Sequence, residues 1–137
     1  VKTFASVAKN LSMEHALIVH GCDGLDEITI TDSTYVAELK DNTISEYEIS
    51  PKDFGLSLGT LSEISANSPD DSLQLIREAF SGDKSAVQDM IALNAGAALY
   101  LAKKVDSIVD GIELSFELMN NGMAADKLAS YVRVSNS

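Results

Sequence analysis

The sequence is poor in cysteine and in positive charge. Cys22 is the one cysteine among 137 residues, so no disulfide can form within the chain. No Cys or His cluster has the spacing of a zinc site. Only 10 residues are basic against 21 acidic, which gives a net charge of −11. Because nucleic acids and anionic membranes are bound by clustered Lys and Arg, this balance argues against both as partners.

Long hydrophobic runs are also absent. The densest apolar stretch, residues 90–102, is rich in alanine and interrupted by Asn94. It falls short of the roughly 18 consecutive apolar residues of a membrane span and is typical of a buried helix. No basic leader or cleavage pattern opens the chain, and we expect a cytoplasmic protein. Hydrophobic residues make up 45% of the sequence, enough for the core of one domain.

The first twenty residues predict a helix followed by a strand. A continuous apolar run at residues 16–20 is typical of a strand buried on both faces, as in parallel sheets. A helix that leads into such a strand is the second half of a βαβ crossover, which needs an earlier strand. We therefore expect this chain to be part of a larger protein. The helical spacing is that of Phe4, Val7, Ala8 and Leu11.

The next thirty residues predict an antiparallel β unit. Residues 27–31 alternate, with Ile28 and Ile30 on one face, and residues 35–40 form another short strand. Asp41-Asn42 predicts a two-residue hairpin turn into residues 43–49, because Asn and Asp tolerate the positive φ values of such turns. Residues 54–66, rich in Gly, Ser and Leu, predict a long connection with one short helical turn.

Four helices are predicted after residue 67, with start and stop signals at their boundaries. Ser68, Asp83 and Asp106 are the predicted N-caps of the first three helices. Gly82 and Gly122 are the predicted ends of the first and third helices. The last helix is predicted over residues 124–132.

The segment Gly21-Cys-Asp-Gly-Leu-Asp-Glu27 is the strongest candidate for a functional site, because it has three carboxylates within five residues. It follows the carboxyl end of the predicted buried strand, where open α/β sheets bind their ligands. Its three carboxylates could present hard oxygens to Mg²⁺, which takes one or two carboxylates together with waters and phosphate oxygens. In so acidic a chain, a merely solvated turn is the commoner origin of such a segment.

Several segments resemble one known family. Residues 20–27, His-Gly-Cys-Asp-Gly-Leu-Asp-Glu, resemble the His-Gly-x-Asp-Gly-Leu-Asp-Glu motif of anthranilate phosphoribosyltransferases. The resemblance extends in the same order over nearly the whole chain. It includes Ala16-Leu-Ile-Val-His20, Val36-Ala-Glu-Leu39, Glu46-Tyr-Glu-Ile-Ser-Pro-Lys-Asp-Phe-Gly55, Gly82-Asp-Lys84, Leu93-Asn-Ala95 and Ala97-Ala-Leu-Tyr100.

The resemblance implies an enzyme of tryptophan biosynthesis. Such an enzyme transfers the phosphoribosyl group of phosphoribosyl pyrophosphate to anthranilate with Mg²⁺, and its intact form is expected to be a homodimer. In this family the adjacent Asp and Glu that close the motif bind magnesium, so Asp26 and Glu27 are the expected metal ligands. Asp23 matches a motif position without a firmly assigned ligand role, and we expect its loss to affect activity less.

The family's Gly-Thr-Gly-Gly-Asp phosphate loop and its anthranilate-contacting arginine are not in the sequence. We therefore expect residues 1–137 to form a single partial α/β domain, the carboxy-terminal part of a mixed-sheet glycosyltransferase domain. It would supply no catalytic residue, meet both substrates through the missing half, and be inactive alone. Two alternatives stay open: a related phosphorylase-fold enzyme, or a non-catalytic binding fragment.

Three further residues favour structural roles. His20 ends a predicted strand, and a ring hydrogen-bonded to a backbone carbonyl is the commoner case there. Cys22 lies among carboxylates, which disfavour its thiolate and argue against a nucleophile. Asn94 interrupts an apolar helix, and we expect it to hydrogen-bond inside the core.

Overall fold

The chain forms one helix, then three strands, then five helices. A computed structural model describes all residues, 1–137. No helix in it is both long and apolar enough to cross a bilayer. The mixed α/β class predicted from the sequence is confirmed. The elements are α1 (Lys2–Asn10), β1 (His15–Gly21), β2 (Thr34–Lys40), β3 (Thr43–Ile49), a 3₁₀ turn (Pro51–Phe54), α2 (Leu61–Ile64), α3 (Pro69–Ala79), α4 (Ala86–Leu101), α5 (Ile108–Asn120) and α6 (Met123–Ser135).

The three strands form an antiparallel sheet in the order β1-β2-β3. Asp41 and Asn42 make the hairpin turn between β2 and β3 with φ values of 49° and 58°, as predicted. The strand predicted at residues 16–20 is also confirmed. Its burial is not that of a parallel strand: its one neighbour, β2, is antiparallel, and only Ala16 and Gly21 are fully buried. The other edge of β1 pairs with nothing in this chain.

The strand predicted at residues 27–31 is wrong. Ile28 and Ile30 are 3% and 0% exposed, but Thr29 between them is also 0% exposed, so the alternation does not separate a buried face from a solvent face. Side chains take the place of a partner strand. Thr34 Oγ1 accepts a hydrogen bond from the Thr29 N–H at 3.0 Å, and Asn94 pairs with the backbone of Ile28. The segment is therefore an ordered connection between β1 and β2.

The sheet separates two apolar clusters. The smaller one lies where α1 covers one face of the sheet and consists of Ala8, Ala16 and Leu39. The larger one lies under α4 and α5 and holds the connection after β1 in place. Its buried members are Ile28, Ile30, Leu56, Ala92, Leu93, Ala97, Ile112 and Met119. The acidic loop that precedes Ile28 is thus attached to the main core.

Serine side chains cap the helices α3, α4 and α5. The hydroxyl oxygens of Ser68, Ser85 and Ser107 each accept a hydrogen bond from the backbone N–H three residues later, at 3.1 Å in each case. The predicted N-cap at Ser68 is confirmed, whereas the N-caps predicted at Asp83 and Asp106 are wrong. Each aspartate has a serine one or two residues further on, and the serine takes the cap. The four helices predicted after residue 67 are all present.

Helices α4 and α5 cross at two glycines. A Cβ added to Gly96 would lie 2.7 Å from the backbone nitrogen of Ile112, and one added to Gly111 would lie 2.8 Å from the Cα of Gly96. Both obstructing atoms belong to backbone, so no side-chain movement can relieve the contact. The close approach of the two helices depends on the absence of a side chain at both positions.

Gly96→Ala and Gly111→Ala should each lower the free energy of unfolding by about 1–3 kcal/mol, because the added methyl group forces two packed helices apart. Urea unfolding followed by circular dichroism measures the change. Ala98→Ser, at an exposed position of the same helix, is the control and should stay within about 0.5 kcal/mol of wild type. Wild-type unfolding midpoints for both glycine variants would contradict the close crossing.

Candidate metal centre

The acidic loop follows β1 and is folded tightly by its own backbone. The Gly21 N–H donates to the Leu25 carbonyl at 2.8 Å, and the Gly24 N–H donates to the Gly21 carbonyl at 2.9 Å. The Cys22 N–H donates to the Ser33 carbonyl at 2.8 Å, which ties the loop to the start of β2. Gly24 has a φ of 96°, a conformation that L side chains rarely adopt. The loop is therefore a defined turn rather than a free connection.

Asp23 points into this turn. Its Oδ1 accepts a hydrogen bond from the Leu25 N–H at 3.1 Å, and its Oδ2 accepts from Thr29 Oγ1 at 2.6 Å and from Thr31 Oγ1. Burial by itself would raise the pKa of Asp23, but the donors outweigh it and hold the pKa below its ordinary value. A Cβ on Gly21 would lie 2.5 Å from Asp23 Oδ1. Both oxygens of Asp23 are thus used to brace the loop.

Asn94 of α4 fixes the far end of the loop. Its Oδ1 accepts from the Ile28 N–H at 3.0 Å, and its Nδ2 donates to the Ile28 carbonyl at 2.8 Å. The second hydrogen of the amide goes to the Met90 carbonyl at 3.0 Å. The prediction that Asn94 hydrogen-bonds inside the core is confirmed.

Asp26 and Glu27 lie between these two anchors. Leu25 is bonded to Asp23 on one side and Ile28 to Asn94 on the other, while Asp26 and Glu27 are exposed. None of the chain's ion pairs involves either residue. No cluster of three or more His, Cys, Asp or Glu side chains has metal-binding geometry anywhere in the chain. The loop presents two adjacent carboxylates to solvent and separates Asp23 from them.

The sequence also led to expectations for two residues next to the loop, His20 and Cys22, and only the one for Cys22 is confirmed. His20 is exposed and forms no hydrogen bond with a backbone carbonyl, so that prediction is wrong. The pKa of the Cys22 thiol is raised, first by partial desolvation and then by the nearby carboxylates of Glu48 and Asp32. The expectation that its thiolate is disfavoured is therefore confirmed, but not its expected cause: of the loop carboxylates only Asp23 contributes, and it contributes least.

A second polar cluster, centred on Glu38, lies between the sheet and α4. The carboxylate of Glu38 takes hydrogen bonds from His15 Nε2 at 2.8 Å, from Tyr47 OH at 2.9 Å and from Tyr100 OH at 3.0 Å. Burial alone would raise the pKa of Glu38, but these donors lower it on balance. No local sequence signal marks this cluster, because its members come from three strands and a helix.

Comparison with known proteins agrees with this fold. The chain belongs to the glycosyl transferase family, a/b domain, whose model matches residues 1–125. It is similar to the anthranilate phosphoribosyltransferases of Vesicomyosocius okutanii, with 44% identity over 98% of this chain and 40% of that protein. With that of Acetivibrio thermocellus, identity is 40% over 97% of this chain and 39% of that protein.

Solved structures show the same likeness. The anthranilate phosphoribosyltransferase of Thermus thermophilus superposes with a TM-score of 0.85 at 29% identity, covering 97% of this chain and 39% of that one. The Saccharomyces cerevisiae enzyme, in complex with PRPP and Mg, superposes with a TM-score of 0.83 at 24% identity, covering 99% of this chain and 40% of that one. The chain spans about 40% of the length of the relatives it matches.

Asp23→Asn should lower stability at neutral pH, because it removes the charge that three donors stabilise. The folded pKa of Asp23 is below its ordinary 3.8, so its contribution is present above the unfolded pKa and is lost as pH falls through the folded pKa. The difference in unfolding free energy from wild type should therefore shrink below about pH 4.

Urea unfolding of both proteins from about pH 2.5 to about pH 7 measures this difference. Asp26→Asn is the matched control, since Asp26 belongs to the same loop but is exposed. A constant offset for Asp23→Asn at every pH would mean that the ionised form of Asp23 is not what braces the loop.

Proposed function

We propose that this chain is the metal-holding part of an anthranilate phosphoribosyltransferase, which joins phosphoribosyl pyrophosphate to anthranilate in tryptophan biosynthesis. The observation that carries the proposal is the outward display of Asp26 and Glu27 between two anchored residues. The names of the relatives that match nearly the whole chain support it.

The donors fit Mg²⁺ better than any metal held by protein alone. Mg²⁺ is usually bound by one or two carboxylates, with waters and substrate phosphates completing its shell. Asp26 and Glu27 provide two adjacent exposed carboxylates, with no third ligand nearby. This is the number of protein ligands that Mg²⁺ usually takes. Glu27 is the better candidate to bridge two ions, and Asp26 would hold one. When bound, Mg²⁺ supplies neutralisation and orientation of the departing pyrophosphate.

The chain's own residues serve binding rather than proton transfer. Asp23 and Asn94 fix the backbone on either side of Asp26 and Glu27, so that the segment carrying both carboxylates is ordered before a ligand arrives. Neither Asp26 nor Glu27 is needed as a general base. Phosphoribosyl pyrophosphate and anthranilate would be bound largely by the part of the enzyme that this chain does not include. The homodimeric state and cytoplasmic location implied by the resemblance belong to the same proposal.

In the intact enzyme, Asp26→Ala and Glu27→Ala should each depress the rate by roughly tenfold or more, the loss expected when about 1.4 kcal/mol or more of metal-mediated stabilisation is removed. Both should also raise the Mg²⁺ concentration needed for half-maximal rate. Initial rates against Mg²⁺ concentration measure both effects. Thermal stability should change little, because exposed loop carboxylates contribute little to folding.

Asp106→Ala is the control for these variants, because it removes an exposed aspartate far along the chain from the loop. It should keep the wild-type rate and metal dependence. Wild-type behaviour of the Asp26 and Glu27 variants would mean that the loop is a solvated turn and that the metal assignment is wrong.

The 137-residue chain by itself should bind Mg²⁺ weakly and show no phosphoribosyl transfer above background. Without phosphate oxygens beside Asp26 and Glu27, the ion would have to keep most of its waters. Calorimetric titration with MgCl₂ and an assay of pyrophosphate release test these two points. Turnover by this chain alone would contradict the expected division of the site between two parts of the enzyme.

A further inference from the structure

Asp89 is a buried carboxylate without a partner. It lies in the first turn of α4 and is 5% exposed. Its Oδ1 is the one buried side-chain oxygen or nitrogen in the chain that makes no hydrogen bond. Burial raises the pKa of Asp89, and the charge of Lys84 opposes this only in part. No ion pair joins Lys84 to Asp89.

The polar groups beside Asp89 are committed elsewhere. The Gln88 side-chain amide donates to the Ala79 carbonyl at 2.9 Å and to Asn120 Oδ1 at 3.2 Å. Both of its N–H bonds are therefore used within the chain. An acceptor that stays ionisable, buried and unpaired is rare in native proteins, and a bound group is one explanation for it.

Asp89 lines a cleft of about 400 Å³ between the 3₁₀ turn, the start of α4 and one face of α5. The cleft also contains a second carboxylate, Glu113, and two aromatic rings, Phe54 and Phe116. A smaller cleft of about 220 Å³ shares Asp89 and Lys84 but has no aromatic residue. The larger cleft therefore has two carboxylates against the one ammonium group of Lys84, together with aromatic surface.

We propose that this cleft binds the guanidinium head of an alkyl cation, with Asp89 as its counter-ion and Glu113 as a second acidic contact. A guanidinium group is planar, carries five N–H donors and stacks on aromatic rings, so it matches both carboxylates and the two Phe side chains. A divalent metal fits poorly, because the acidic residues do not cluster in metal-binding geometry. Neither Asp26 nor Glu27 lines this cleft, and the proposal does not depend on the function proposed for their loop.

Calorimetric titration of the chain with butylguanidinium tests the proposal, with neutral butylurea as the probe that lacks charge. We expect saturable binding of butylguanidinium and none of butylurea. Asp89→Asn should weaken binding roughly tenfold or more, as expected for loss of a buried charge partner. Asp126→Asn, an exposed aspartate in the first turn of α6, should leave binding unchanged.

A second titration, with the peptide acetyl-Gly-Arg-Gly-amide, distinguishes the source of the cation. Tighter binding of the peptide indicates an arginine side chain of a polypeptide, and tighter binding of butylguanidinium indicates a small molecule. Both results support the site. Absence of saturable binding for both cations, or equal binding by Asp89→Asn and wild type, would overturn it.

Stability of the unliganded chain gives an independent readout. A binding residue left unpaired costs stability, so Asp89→Asn should raise the urea midpoint at neutral pH above that of wild type. A structural acceptor would behave in the opposite way. A lower midpoint for Asp89→Asn than for Asp126→Asn would therefore also overturn the proposal.

Discussion

The two hydrogen bonds between the Asn94 side chain and the backbone of Ile28 fix the position of the acidic loop. In the middle of α4 the backbone N–H and C=O groups are already paired, so only a side chain can hold another segment there. A carboxamide has both a donor and an acceptor and matches the N–H and C=O of one residue. Its remaining hydrogen reaches the Met90 carbonyl. Neither a leucine nor an aspartate could satisfy all three backbone groups.

Helix α4 connects the other parts of the fold in a similar way. Gly96 lets α5 approach to backbone contact, and Tyr100 donates a hydrogen bond to Glu38 in the sheet at 3.0 Å. Asp89, one turn from the beginning of the helix, borders the cleft against α5. The acidic loop, the sheet and the Asp89 cleft are therefore all positioned by α4. A displacement of this helix would move the contacts at all three.

Local signals in the sequence predicted more than long-range ones. The Ser68 cap and the Asp41-Asn42 turn depend on neighbouring residues, and both were identified. The alternation of Ile28 and Ile30 was misleading, because the group that replaces a partner strand is Asn94, 66 residues away. Asp26 and Glu27 came from a family motif, whereas the bracing role of Asp23 needs Thr29 and Thr31 in contact with it. A hydroxyl pair spaced two residues apart was the only signal for that role.

The acidic residues of this chain differ in what neutralises them. Asp23 and Glu38 are stabilised as anions by hydrogen-bond donors, whereas Asp26 and Glu27 face only solvent. Here the bonds of Leu25 to Asp23 and of Ile28 to Asn94 hold the backbone on both sides. The backbone that carries Asp26 and Glu27 is therefore ordered within the chain itself, and the entropy cost of ordering it is met during folding.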